Sequence, residues 1–233
     1  MRKQRARLGL AISILTLAGA AAAATPGQNQ KFIKQLYQDL LNRAPDRTEL
    51  ATYTSLLSFG ATRTQIAGAL TSSSEYRTDQ IQHFFGAFLN RPATAGEVSF
   101  FLNHMQQGST DDDVKAAILA GDEYYRLAGV TDHAFIEKLF EDVLGRPVDR
   151  SSEQVLQTLL GQGTTRQSIA GLVLHSLEAD QREVTQLFQK LLKRLPQPSE
   201  LTSFAQMLQV GAKDEFVVDL ICGSDEYFQL AIK

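Results

Sequence analysis

The chain is poor in the residue types that many common protein chemistries require. It has one cysteine, Cys222, no tryptophan and four histidines among 233 residues. A single cysteine can form neither an internal disulfide nor a multi-cysteine zinc site. The four histidines lie far apart, and no phosphate-binding glycine loop or serine elbow occurs: His83, His104, His133 and His175. We therefore predict no catalytic residue, no metal site and no cofactor.

Positive charge is also scarce. The chain has 23 Lys and Arg residues against 26 Asp and Glu residues, a formal net charge of −3. Four of the cations stand at the extreme N-terminus, at Arg2, Lys3, Arg5 and Arg7. Because nucleic-acid binding depends on a positive surface, we predict no nucleic-acid partner.

Residues 1–24 have the order of a secretory signal peptide. The basic start is followed by an apolar stretch over residues 8–17 and by an alanine run over residues 20–24. This order predicts cleavage near Ala24 and export to the periplasm, the cell surface or the extracellular space. A retained membrane anchor is the alternative. No later segment is long and apolar enough to predict a membrane span.

A combination of arginine, glycine and glutamate occurs four times with fixed spacing. The interval from arginine to glycine is the same in all four occurrences, and so is the interval from glycine to glutamate. The three sets are Arg43, Arg91, Arg146 and Arg194; Gly60, Gly108, Gly163 and Gly211; and Glu75, Glu123, Glu178 and Glu226. Such a recurrence indicates one supersecondary unit used four times, and we number these repeats 1 to 4 in chain order.

Each repeat is predicted to contain three helices. Apolar residues seven, six, three and two positions before the arginine form one helical stripe, and a proline soon after the arginine ends that helix. The repeated glycine suits the left-handed position that follows the second helix. The third helix ends just before the glutamate. No alternating strand pattern occurs, so we predict an all-α fold.

The spacing between repeats is unequal. The interval from Arg43 to Arg91 equals the interval from Arg146 to Arg194, but the middle interval, from Arg91 to Arg146, is longer by seven positions. The additional residues fall in a junction at 127–133. We therefore predict two halves of two repeats each: repeats 1 and 2 over residues 25–126, and repeats 3 and 4 over residues 134–233. Duplication of a two-repeat ancestor would explain this arrangement.

Two segments of repeat 1 resemble a known bacterial family. Residues 36–45 (LYQDLLNRAP) and residues 73–77 (SSEYR) are similar to the motif of the domain of unknown function 4214, and residues 139–147 repeat the first segment. The resemblance implies small helical modules of a kind often found in exported, surface or matrix proteins and similar to the helical domain of phycobilisome linkers. The family has no assigned catalytic residues.

The repeated arginine and glutamate predict a structural ion pair in every repeat, because their separation along the chain never changes. We expect these pairs to be bidentate and partly buried. A row of arginines facing an anionic polymer is the alternative. The acidic run Asp111, Asp112 and Asp113 lacks the glycine and the closing glutamate of a calcium loop, and we interpret it as the start of a helix.

These observations favour an exported, non-enzymatic repeat protein. We expect a scaffolding or interaction role at the cell envelope or outside the cell, with an unknown protein or cell-surface polymer as the partner. One alternative is a hydrolase acting on envelope polysaccharide, with carboxylates in a groove at the 127–133 junction. Another is a linker that organises a larger assembly.

Overall fold

The computed structural model describes residues 24–233, so the predicted signal peptide lies outside the described residues except for Ala24. Within this range the chain forms helices, turns and bends and contains no strand, which confirms the all-α prediction. The helices are α1 (Pro26–Leu41), α2 (Arg47–Ser58), α3 (Arg63–Thr71), α4 (Ser74–Leu89), α5 (Ala95–Gln106), α6 (Asp111–Ala120), α7 (Asp122–Ala128), α8 (Asp132–Leu144), α9 (Arg150–Gly161), α10 (Arg166–Leu174), α11 (Leu177–Leu192), α12 (Pro198–Gln209), α13 (Asp214–Gly223) and α14 (Asp225–Ala231).

The ends of these helices follow local sequence signals. Capping boxes open several of them, for example Asp46 with Glu49 at α2 and Thr94 with Glu97 at α5. The four repeated glycines adopt φ values of 91–110°, just after the second helix of each repeat. This left-handed region is unfavourable for a residue with a Cβ atom, which explains why glycine recurs there.

The third helix of each repeat ends just before the repeated glutamate, as predicted, and the glutamate itself lies in the first turn of the next helix. Glu75 and Glu178 lie at the start of α4 and α11, which continue as the first helices of repeats 2 and 4. Glu123 and Glu226 lie in the short helices α7 and α14. Repeats 1 and 2 therefore share one helix, as do repeats 3 and 4.

The chain forms two hydrophobic cores, but their membership differs from the predicted pairing of consecutive repeats. The terminal core combines repeats 1 and 4, with side chains such as Phe32, Ile66, Val217 and Tyr227. The central core combines repeats 2 and 3, with side chains such as Phe135. The chain therefore forms two units of two repeats each. These units are not the segments 25–126 and 134–233, because each core combines one repeat from each segment.

The links between repeats explain this pairing. The helix α4 has 16 residues and is therefore about 24 Å long, so it carries the chain away from repeat 1 rather than back onto it. Its first turn contributes Tyr76 to the terminal core, whereas its later turns contribute to the central core. The helix α11 makes the reverse crossing, with Ala179 in the central core and Val184 in the terminal core.

The 127–133 junction is a largely exposed turn between repeats 2 and 3, the two repeats that share the central core. Gly129 and Val130 both have positive φ, 118° and 62°, and the Thr131 hydroxyl caps the start of α8. A continuous helix links repeats 1 and 2 (α4) and repeats 3 and 4 (α11). Between repeats 2 and 3 the extra residues interrupt this helix, which becomes α7 and α8. This break lets repeat 3 fold back onto repeat 2.

The helices α3 and α13 join repeats 1 and 4 and pack closely against each other at Gly223. A Cβ atom at Gly223 would lie 2.9 Å from the backbone nitrogen of Thr64, so a larger residue does not fit there. The thiol of Cys222 is buried beside this contact. None of the helices within residues 24–233 combines the length and apolarity of a membrane span.

Candidate functional site

Each repeated arginine forms a two-bond ion pair with the glutamate that the sequence pattern assigned to it. In repeat 1, Arg43 Nε and Nη2 donate to the two carboxylate oxygens of Glu75 at 2.5 and 2.8 Å. The shortest contacts in the other repeats are 2.6 Å for Arg91 with Glu123, 2.5 Å for Arg146 with Glu178 and 2.6 Å for Arg194 with Glu226. We call each such pair a clamp, because it joins the end of one helix to the start of another.

The clamps are more exposed than the sequence suggested. The side chains of Arg146 and Glu178 are 38% and 46% exposed, and those of Arg91 and Glu123 are 32% and 37% exposed. Water therefore screens the attraction, and the stabilisation per clamp is smaller than that of a buried ion pair. The arginine still lowers the pKa of each of Glu75, Glu123 and Glu178.

Three of the four arginines contact a second glutamate, six positions later in the chain. Arg43 bonds Glu49, Arg91 bonds Glu97 and Arg194 bonds Glu200, with contacts of 2.7–3.0 Å. The hydrogen bond from the arginine lowers the pKa of Glu49 and of Glu97 to about 2. Repeat 3 has Ser152 at this position, and the nearest other carboxylate to Arg146 is Asp149 at 3.6 Å.

Every clamp arginine also lies over an aromatic ring. The guanidinium carbon is 5.0–5.3 Å from the ring centroid of the residue six positions earlier: Tyr37, Phe85, Phe140 and Phe188. Such stacking favours arginine over lysine. The arginines are therefore engaged on three sides by groups of their own repeat, and this argues against the alternative of an open row for an anionic polymer.

A second set of contacts joins the repeats within each core. Arg63 pairs with Asp225 between repeats 1 and 4, and Arg166 pairs with Asp122 between repeats 3 and 2. The two arginines are 103 positions apart, and so are the two aspartates. The same offset relates the whole terminal core to the central core, in agreement with duplication of a two-repeat unit.

A large concave surface lies where the two cores meet. We call it the central groove: it has a volume of about 1110 Å³ and is lined mainly by α4, α11 and the adjoining ends of α1, α6, α8 and α13. Both crossing helices pass along it. The groove is thus formed by the same chain path that pairs repeat 1 with repeat 4.

One wall of the central groove holds a lysine among three carboxylates. Lys115 Nζ donates to Asp112 at 2.9 Å, to Asp214 at 3.0 Å and to Glu183 at 3.3 Å. The lysine side chain is 12% exposed. Burial alone would lower the pKa of Lys115, but the carboxylates of Glu183, Asp214 and Asp112 raise it well above its usual value. The lysine is therefore charged, and burial raises the pKa of Glu183 and of Asp112.

Beside this lysine lies a carboxyl group without a partner. Asp111 is 5% exposed, and its Oδ1 atom has no hydrogen-bond partner among the described residues. The Oε2 atom of Glu215 is also unpartnered there. Burial, and then the nearby charge of Glu215, raise the pKa of Asp111 to about 7.

The structure places the other residues named from the sequence as follows. Asp111, Asp112 and Asp113 form the first turn of α6, as interpreted, and Asp113 completes a capping box with Thr110. His133 contacts Glu153 at the junction, and His175 lies 3.2 Å from Asp112 at the edge of the lysine cluster. Asp111 and Glu183, whose pKa values are raised, lie in the central groove rather than at the 127–133 junction.

Comparison with known proteins supports the family resemblance. The profile of the family described as Domain of unknown function (DUF4214) matches residues 17–79, which include repeat 1 through its clamp glutamate, Glu75. This match confirms the resemblance seen in the repeat 1 motif. No curated protein and no solved structure matches the chain.

Proposed function

We propose that this protein is an exported, non-enzymatic scaffold that holds a protein or polymer partner at the cell envelope or outside the cell. The observation that carries the proposal is that the repeated charged side chains form ion pairs with one another inside the protein. The clamp arginines pair with the clamp glutamates, and three groove carboxylates pair with Lys115, so these charges are neutralised by groups of the protein itself. Four clamps of the same geometry suit a protein whose task is to present a fixed surface.

An asymmetry between the two cores supports a specific contact surface. The residue just before the repeated glycine is Phe59 in repeat 1 and Val210 in repeat 4, and these side chains are 89% and 84% exposed. The corresponding residues of the central core are Gln107 and Gln162. Phe59 and Val210 are therefore candidate contacts for a partner. We propose that the terminal core carries the interaction role.

The experiment compares capture by mature protein (residues 25–233) with capture by two variants, from envelope and culture fractions of the source organism. The double variant Phe59→Gln/Val210→Gln copies the central-core residues onto the terminal core. The control is Val155→Thr, which changes an exposed valine of the central core to the residue found 103 positions earlier, Thr52. We expect one saturable partner to be lost with the double variant and kept with the control. Equal capture by all three proteins would refute this surface.

A second candidate function is the hydrolysis of envelope polysaccharide. The observation that favours it is the pair of groove carboxyls with raised pKa values, Asp111 and Glu183, because a general acid needs such a shift. Release of new reducing ends from envelope polysaccharide by the wild-type protein, and not by Glu183→Gln, would establish this activity in place of the scaffolding role.

A further inference from the structure

Asp111 has a buried oxygen atom, Oδ1, that lacks a hydrogen-bond partner among the described residues. A buried carboxyl group without a hydrogen bond is unfavourable, and native structures contain few such groups. Asp111 lines the central groove and is 5% exposed, so a molecule in the groove can reach its carboxyl group, although the Oδ1 atom itself is closed to solvent. Its position at the start of α6 accounts for an acidic residue but not for one that is buried and unpartnered.

The surroundings of Asp111 have an excess of negative charge. Its own helix contributes Asp112 and Lys115, α13 contributes Asp214 and Glu215, and α4 contributes Tyr76. With Glu183 of α11, five carboxyl groups adjoin one lysine. Lys115 satisfies three of them and leaves Asp111 and one oxygen of Glu215. This wall of the groove therefore has too little positive charge to pair with all of its carboxyl groups.

The geometry favours an ammonium group over a bare metal ion. The carboxylate oxygens of Asp112, Glu183 and Asp214 lie within 4.8 Å of one another, the spacing required to coordinate one ion. Lys115 Nζ already occupies that position, at distances of 2.9–3.3 Å, which suit N–H···O bonds and exceed the 2.3–2.6 Å of calcium coordination. The same wall therefore already holds one alkylammonium group, that of its own lysine.

We propose that the central groove binds an organic primary amine whose ammonium group pairs with Asp111. The alkyl part of the ligand lies in the groove, whose volume of about 1110 Å³ exceeds what a small amine needs. Tyr76 lines the groove near Asp111, and an aromatic ring is a favourable neighbour for an ammonium group. This inference does not depend on the scaffolding role, because it concerns a different surface.

The test uses n-butylammonium, which reproduces the side chain of lysine, as the probe. Binding is followed by ¹H–¹⁵N NMR titration of the mature protein at constant ionic strength. We expect saturable shifts in α4, α6 and α13, and at least tenfold weaker binding to Asp111→Asn. The control is Glu141→Gln, which removes the same charge from an exposed glutamate of α8 outside the groove. The control should bind like the wild-type protein.

Three outcomes would overturn the proposal. One is equal affinity of the wild-type protein and Asp111→Asn for n-butylammonium. Another is an equal response to n-butanol, since it has the same alkyl chain without the charge. The third is tight binding of Ca²⁺ that n-butylammonium does not displace, because the groove would then be a metal site. The Asp111→Asn variant should fold, since the carboxyl group forms no hydrogen bond through Oδ1 that the substitution could remove.

Discussion

The Tyr227 hydroxyl donates a 2.7 Å hydrogen bond to Asp39, which lies 188 positions earlier. The bond joins repeat 4 to repeat 1, and both residues adjoin the terminal core. The central core contains the equivalent bond, 2.9 Å from the Tyr124 hydroxyl to Asp142. Each residue of the second bond is offset by 103 positions from its counterpart in the first. Two equivalent cores therefore arise from one chain that crosses between them twice.

The clamps should differ in strength according to their number of carboxylates. Arg91→Gln removes bonds to Glu97 and Glu123, whereas Arg146→Gln removes the pair with Glu178 and a longer contact with Asp149. Because these groups are about one-third exposed, we expect losses of about 2 and about 1 kcal/mol respectively in the free energy of unfolding. Urea denaturation of both variants measures the difference. Equal losses, or none, would contradict the role given to the second glutamate.

The missing carboxylate of repeat 3 can be supplied. Ser152→Glu places a glutamate six positions after Arg146, as in the other repeats. It also completes a capping box with Asp149 at the start of α9. We expect a gain of about 0.5–1 kcal/mol, seen as a higher thermal midpoint. In Arg146→Gln the same change should give only the gain due to capping, and an undiminished gain there would show that Arg146 is not the partner.

The charge of Lys115 should be essential near neutral pH. Lys115→Met leaves Asp112, Glu183 and Asp214 without their cation, and we expect a loss of about 3–5 kcal/mol at pH 7. The loss should shrink in acid, where these carboxylates are protonated. The control is Lys138→Met, which removes one contact with Asp142 and should cost about 1 kcal/mol or less. A loss for Lys115→Met that is independent of pH would indicate a packing effect instead.

A buried aspartate in α13 predicts a defined pH dependence. Burial raises the pKa of Asp219 from 3.8 to about 6, although the Thr71 hydroxyl donates a hydrogen bond to it. The folded state thus holds this proton more tightly than the unfolded state, so the contribution of Asp219 to stability falls as pH rises from 3.8 to about 6. Asp219→Asn should equal the wild-type protein below this window and exceed it above. A constant difference between the two pH-stability curves would refute the assignment.

Substitution by alanine should have opposite effects on stability at two glycines, Gly223 of α13 and Gly171 of α10. Gly223→Ala forces a Cβ atom against Thr64 and should cost about 1–3 kcal/mol. Gly171 lies inside α10 and has no heavy atom within 4 Å of an added Cβ, so Gly171→Ala should add roughly 0.5–1 kcal/mol. Calorimetry of both variants checks this contrast. Stabilisation by both changes would show that α3 and α13 are farther apart.

Local signals in the sequence were sufficient to predict the helices and the partners of the clamp arginines. The capping residues, the prolines and the repeated glycines act within a few positions, and the constant separation of Arg43 from Glu75 recurs in every repeat. The stacking of arginine on the aromatic residue six positions earlier was missed, although its spacing was visible. The second clamp glutamate, six positions after the arginine, was not predicted.

The pairing of repeats could not be predicted in the same way. All four repeats bury similar apolar stripes, so the stripes alone do not specify which repeats pack together. The pairing follows instead from whether a link is a helix, as in α4, or a turn, as at Gly129. The lysine cluster joins residues of three helices, so it could not be predicted from local spacing. One sequence feature did point to it: Lys115 occupies the position held by Ala67, Ala170 and Val218 in the other repeats.

The central claim is that repeat 1 packs with repeat 4 and repeat 2 with repeat 3. Nuclear Overhauser contacts between aromatic rings test it most directly, because ring centroids lie 6.0 Å apart for Phe32 with Tyr227 and 6.1 Å apart for Phe135 with Tyr124. The account predicts cross-peaks between the ring protons of each of these pairs in the monomeric protein. Cross-peaks from Phe32 to Tyr124, with none to Tyr227, would mean that repeats 1 and 2 pack together and would contradict it.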